Sequence, residues 1–244
     1  MFTGFPEETV QFFLELRFHN NAGFFHDQHD RYVETVQAPF YALINELAPT
    51  MRDIDPLMEV RPHKCLSRIH RDTRFSRDKS PYRDHLWLCF RRAAEPREGS
   101  VNYWFEFGPD QLGWGVGLWG ENRPLSERLR REIVADPRRV ADIIHSCDLP
   151  GHEMALGGSF HRRMPVPPEV PELLKSWYLM KEGYIPRLHP VHQWAYTERV
   201  LQEVRRDFEA VAPIYRLLRG IQDELLEEER SAAREERPNR GDEW

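Results

Sequence analysis

Residues 101–119 read Val-Asn-Tyr-Trp-Phe-Glu-Phe-Gly-Pro-Asp-Gln-Leu-Gly-Trp-Gly-Val-Gly-Leu-Trp. Val101, Tyr103, Phe105 and Phe107 alternate with Asn102, Trp104 and Glu106, the period of two that marks a strand. Gly108-Pro109-Asp110 turns the chain. Leu112, Trp114, Val116 and Leu118 then alternate with Gly113, Gly115 and Gly117. This is a β-hairpin with one face of bare glycine. A three-residue turn puts Phe105 opposite Gly113 and Tyr103 opposite Gly115. A two-residue turn puts Trp104 opposite Gly115 instead. Both registers let an aromatic ring cover glycine backbone. The Gly-Trp-Gly-Val-Gly run has the wrong spacing for a dinucleotide fingerprint, and no helix follows directly.

Outward from the hairpin, His85 to Phe90 reads as a buried strand and residues 155–163 as a returning one. Met58 to Pro62 reads as a short strand. Helical patterns flank this region. Residues 6–18 carry a broad apolar face. A second helical region spans about Phe24 to Leu47, with Pro39 expected to kink or divide it. Ser126–Ile133 and Arg138–His145 read as two short helices. Trp194 to Val211 is amphipathic, and a further helix follows from Pro213 to Leu226. Helices at both ends around antiparallel strands define an α+β fold: one domain over residues 1–223, then a charged, flexible tail over 224–244.

With 244 residues the chain can bury a sizeable core. Seven Trp and 12% aromatic content exclude a disordered chain. No apolar run is long enough to span a bilayer. The first eight residues hold no basic or apolar targeting pattern, so a cytoplasmic location is expected. Cys65, Cys89 and Cys147 are widely spaced and suit a reducing compartment. All three read by default as small buried hydrophobes, Cys89 most clearly within its apolar run, with a thiol activated beside Lys64 as the alternative for Cys65. The net charge of −6 points away from nucleic acid. Trp87, Tyr103 and Trp104 are read as core rather than as a stacking platform.

Charge is unevenly spread. Residues 224–244 hold eight acids against four arginines, whereas residues 68–83 hold six Lys/Arg against two Asp. The basic stretch is Arg68-Ile-His-Arg-Asp-Thr-Arg-Phe-Ser-Arg-Asp-Lys-Ser-Pro-Tyr82. Guanidinium groups grip phosphate or carboxylate bidentately, so convergence of Arg68, Arg71 and Arg74 would create an anion site. Asp78 and Asp72 would orient the arginines, with Lys79 and Tyr82 completing the site. The competing reading is a structural Arg–Asp network tying a long loop to the core. For an enzyme, Asp72 is the first acid/base candidate and His70 the second. Asn20 and Asn21 suit a cap or turn, and stand with the ligand-binding candidates through the motif they share.

That motif carries a resemblance. The Arg-Ile-x-Arg-Asp-x-Arg-Phe-Ser-x-Asp-Lys-x-Pro-Tyr block, preceded by Leu16-Arg-Phe-His-Asn-Asn-Ala-Gly-Phe-Phe-His-Asp-Gln-His-Asp-Arg-Tyr32, resembles the signature of a bacterial and fungal family of unknown function. Gly117-Leu-Trp119, Leu129-Arg-Arg-Glu-Ile133 and the stretch around Pro213 and Leu217 are also similar. The likeness spans about residues 5–220. Phe24-Phe25 stands where the family has Trp-Phe. The resemblance implies no reaction or cofactor.

Other motifs carry less. His26/His29 and His189/His192 each form His-x-x-His, but no zincin pattern accompanies them, so no metal is assigned. Gly157-Gly-Ser-Phe-His161 is not a nucleophile elbow. No P-loop is present. The functional expectation is a protein binding an anionic small molecule, phosphorylated ones among the candidates, through Arg68–Tyr82. The alternatives are an interaction module that meets an acidic protein partner, or an enzyme using Asp72 and His70.

Overall fold

The computed structural model describes residues 1–74, 77–96 and 98–235. Phe75 and Ser76 of the signature, and residues 236–244 of the expected tail, lie outside the described residues. Helix α1 (Glu7–Phe18) is followed by α2 (Ala22–Asp27) and α3 (His29–Tyr32). A π turn over Val33–Gln37 then leads into α4 (Ala38–Ile54). The expected helix from Phe24 to Leu47 is therefore broken twice. Pro39 follows the π turn inside this continuous helical run and cannot donate to the Thr35 carbonyl four residues back. The Thr9 hydroxyl donates to the Thr35 carbonyl at 2.5 Å, so the π turn is pinned to α1.

A helical turn, α5 (Pro62–Cys65), follows. It replaces most of the strand expected at Met58–Pro62, because Pro62 opens a helix and only Met58 pairs, with Arg92. The sheet consists of β1 (Leu86–Phe90), β2 (Val101–Phe107), β3 (Gln111–Leu118), β4 (Gly157–Phe160) and β5 (Met180–Pro190). Every pairing is antiparallel, in the order β1-β2-β3-β5-β4. The expected α+β architecture is what folds. The hairpin takes the two-residue turn, with Gly108 N donating to Gln111 O at 3.0 Å and Trp104 opposite Gly115.

Helices α6 (Arg123–Ala135) and α7 (Pro137–Ser146) lie between β3 and β4. Asn122 and Asp136 cap their N-termini by accepting from Leu125 N and Arg139 N. Helix α8 (Lys175–Leu179) precedes β5, and α9 (Arg199–Ala210) and α10 (Ala212–Glu235) close the described chain. The amphipathic pattern begun at Trp194 becomes regular helix only at Arg199. Residues Gln193–Tyr196 form a tighter 3₁₀ turn, after which Thr197 Oγ1 accepts from Arg199 N. Helix α10 runs through residues 224–235, so this part of the expected charged tail is helical, with residues 227–233 exposed on it. Arg128 of α6 bonds Glu224 and Glu228 at 2.9 and 3.2 Å and holds this part in place.

One face of the sheet is packed by helices. Leu88, Phe90, Tyr103, Phe105, Phe107, Leu112, Trp114, Val116 and Ile185 are all buried against α1, α4, α9 and α10 in one continuous core. Phe5 stacks on Phe107 with centroids 4.4 Å apart, so the N-terminal segment also joins that core. Burial of this apolar surface is the main stabilising term. Among the described residues no helix covers the other face, where Trp87 and Trp104 are half-exposed and Leu188 is exposed.

Candidate functional site

The arginine-rich segment is a loop closed by a two-strand stem. His70 pairs with Tyr82, Arg71 N donates to Pro81 O, and Arg83 N donates to Ile69 O, both at 2.8 Å. Carboxylates of the same loop engage its arginines. Arg71 bonds Asp78, and Arg74 bonds Asp72 at 2.7 and 2.9 Å. Lys79 donates to Thr73 O at 2.8 Å. Arg74 holds the Asp72 carboxyl down at about 2, so Asp72 carries no proton to give at neutral pH. No hydrogen bond joins Asp72 to His70 among the described residues; His70 instead packs on Tyr82, with centroids 5.0 Å apart. Arg68 is exposed.

Tyr82 is 6% exposed, and its ring stacks on Phe25 at 4.3 Å. Asn20 clamps its backbone on both sides: Nδ2 donates to Tyr82 O at 3.0 Å, and Oδ1 accepts from Tyr82 N at 2.9 Å. The Asn20 amide thus acts as a surrogate strand for the loop stem. Asn21 caps α2 by accepting from Phe24 N at 3.0 Å. The two motif blocks are therefore neighbours in space, and their contact is one of packing and backbone satisfaction. Cys65 is 1% exposed, and burial pushes its thiol up to about 12, which removes the thiolate a nucleophile needs.

The uncovered face of the sheet has a regular grid, set by the strand register. One row runs Trp87, Glu106, Gly113, Leu188. The next runs Cys89, Trp104, Gly115, Pro186. Asn102, Gly117 and Tyr184 make the third. Glycine therefore forms the whole central column, and side chains rise only on either side of it. The result is a groove of about 450 Å³ along β3, with His85 and Trp119 at its ends. Trp119 is 65% and Leu188 54% exposed. Trp87 and Trp104, expected in the core, belong to this half-exposed face, whereas Tyr103 is fully buried on the other. The reason is register: Trp104 alternates with Tyr103 and must face the opposite way.

The glycines are needed for strand approach. A Cβ on Gly115 would lie 2.2 Å from Ile185 O, and one on Gly117 would lie 2.5 Å from Gly183 O. Strand β5 thus crowds the β3 backbone and curls the sheet into a trough. Sequence reading missed β5 and with it Pro186 and Leu188. Gly183 and Pro186 interrupt the strand pattern, and Arg187 and His189 occupy inward positions that hydrophobics normally fill. The alternation of Tyr184, Pro186 and Leu188 was the available signal.

Besides Cys89 and Tyr184, the groove is lined by an imidazole and a carboxyl group, His85 and Glu106. His85 Nδ1 lies 3.0 Å from Asp84 Oδ1, and Arg17 donates to Asp84 Oδ2 at 2.6 Å. Burial alone would raise the Asp84 pKa, but the bonds from His85 and Arg17 outweigh it and hold the carboxyl below its usual range. An ionised carboxylate only accepts, so Nδ1 carries the proton and Nε2 is left as the basic nitrogen. Glu106 has no ion pair among the described residues. The arrangement can stack a flat ligand and exchange a proton with it. Arg83 lies 4.5 Å over the Trp87 ring and joins the arginine-loop stem to the groove's β1 side.

Among the described residues no three His, Cys, Asp or Glu side chains gather in a metal-ligating group. No described helix is long and apolar enough to cross a membrane. Fold and site together define an α+β domain with an antiparallel sheet buried on one face and grooved by aromatics on the other. The chain belongs to the family described as conserved hypothetical protein (DUF2461), whose model matches residues 8–216. That match agrees with the expected resemblance to a family of unknown function. No curated protein matches the chain.

Proposed function

We propose that this protein binds a small organic molecule in the groove along β3. The supporting observation is the grid itself: Trp104, Trp119 and Tyr184 stand around a column of bare glycine on the one sheet face that helices leave open. Binding sites are commonly concave, largely apolar and served by a few polar groups, and this trough has that composition. A flat apolar face of the ligand lies against the indoles, and a polar group reaches His85 or Glu106.

A thermal-shift and tryptophan-fluorescence screen of aromatic and heterocyclic compounds tests this. A ligand that raises the melting temperature of the wild type should bind Trp104→Ala about tenfold or more weakly, since a desolvated aromatic anchor carries much of a site's affinity. Unchanged affinity in folded Trp104→Ala and Tyr184→Ala variants would remove the groove from consideration.

The second reading keeps the arginine loop as an anion site. Arg68, which is exposed and has no ion pair among the described residues, favours it. Arg71 and Arg74 would have to exchange Asp78 and Asp72 for the ligand. A phosphate-induced shift that vanishes in Arg71→Ala/Arg74→Ala would select this reading.

A further inference from the structure

Beyond β4 lies a second concavity, of about 690 Å³, formed by residues 160–165 and Lys181. Its charged groups are all cationic, Arg162, Arg163 and Lys181, with His161 beside them. None of Arg162, Arg163 and Lys181 has an ion pair among the described residues. Arg130 approaches from α6, and its guanidinium donates to the Tyr178 and Met180 carbonyls at 3.3 Å; Glu127 feels its charge but bonds Arg123 instead. This contrasts with the Arg68–Tyr82 loop, where carboxylates already occupy the arginines.

Backbone geometry holds the cluster together. The β4–β5 register shifts between Ser159 and Phe160, an irregularity of the kind that re-aims side chains. His161 N then donates to Leu179 O at 2.8 Å, which places residues 161–163 beside Met180 and Lys181. His161 reports the resulting field: burial, then Lys181 and Arg130, depress its pKa. Nearby acids are engaged elsewhere. Glu182 accepts from Gly120 N at 3.1 Å, and Glu127 pairs with Arg123 at 2.7 Å; Glu121 is the remaining carboxylate near His161. Like charges held close repel, and a bound anion relieves that repulsion.

We propose that Arg130, Arg162, Arg163 and Lys181 form a binding site for the phosphate group of a small phosphorylated molecule. Guanidinium forks match phosphate oxygens bidentately, and Lys181 adds a point charge. Phe160, Met164 and Pro165 supply apolar wall for the carbon body. The chain's net charge of −6 favours a small ligand over a polyanion.

The test uses phenyl phosphate as probe, with sodium chloride at matched ionic strength as reference. Phenyl phosphate should raise the wild-type melting temperature above the chloride reference by mass action. Arg162→Gln/Arg163→Gln, and separately Lys181→Gln, should fold normally and lose most of that rise. Trp104→Ala and Arg71→Ala/Arg74→Ala should keep it. A wild-type shift no larger than that of chloride overturns the site. So does a shift retained in both the Arg162/Arg163 and Lys181 variants, or lost in the Arg71/Arg74 variant. A short single-stranded DNA that binds more tightly than phenyl phosphate overturns the small-molecule assignment. Loss of groove-ligand binding in Trp104→Ala leaves this inference standing, because the two sites share no residue.

Discussion

Asp207 shows how much one buried residue can organise. Its side chain is fully buried and accepts from Trp114 Nε1 at 2.8 Å, Arg187 at 2.9 Å and Arg206 at 3.1 Å, while His152 Nδ1 lies 2.7 Å away. Arg187 also bonds Glu153 and Glu203, at 2.5 and 2.8 Å. Burial alone would raise the Asp207 pKa; bonds from His152, Arg187 and Trp114 outweigh it and keep the carboxyl below its ordinary value of 3.8. The folded value lies below the unfolded one. This contribution to stability is therefore complete above about pH 4 and disappears as pH falls through the folded value. Asp207→Asn should lose about 3 kcal/mol at pH 7, since it leaves a buried guanidinium short of a counter-charge. Urea melts across pH should show the gap between variant and wild type narrowing in acid. A constant gap from pH 7 to pH 2 would contradict the assignment. None of this was legible in the sequence, where Arg187 lay in a segment not read as strand and Asp207 was one acid on an amphipathic helix.

At the scale of elements, β3 is the part the groove cannot do without. Gly115→Ala should cost about 1–3 kcal/mol, because the added methyl meets Ile185 backbone rather than a mobile side chain. The melting temperature reads this, and indole fluorescence should change with it as the trough widens. Gly113→Ala should be milder, since its new Cβ meets the end of the Leu188 side chain. The arginine loop predicts the opposite outcome. Its ion pairs are solvent-exposed, and Arg71→Ala/Arg74→Ala should melt close to the wild type. A large loss of stability there would make the loop a structural strut. The hairpin was legible because alternation survives wherever one face is buried, and glycine marked the other. The two registers were not separable, since the turn residues Pro109 and Asp110 suit both loop lengths. The arginine block drew attention by its charge, but charge spacing says nothing of which carboxylates a loop folds back upon.

For the whole molecule, the α+β class followed from helical periodicity at both ends of a strand-rich centre. The position of the groove did not, because it depends on which strand lies beyond β3. That neighbour is β5, separated from it in sequence by α6, α7, β4 and α8. Only the three-dimensional order brings Tyr184 alongside Gly117 and Trp104. The same order leaves the half of β5 after Tyr184 unpaired by β4, which fits Pro186, a residue with no N–H to donate.

The junction at Asp207 has a consequence in time. Its partners Trp114, His152 and Arg187 lie 93, 55 and 20 residues away along the chain. All three precede Asp207, so long loops must close before these bonds can form, and the entropic cost comes first and the return last. Such contacts are made after the rate-limiting barrier. In stopped-flow measurements Asp207→Asn should leave the refolding rate almost unchanged and accelerate unfolding about a hundredfold. The junction then sets how long the native state lasts, not how quickly it is reached.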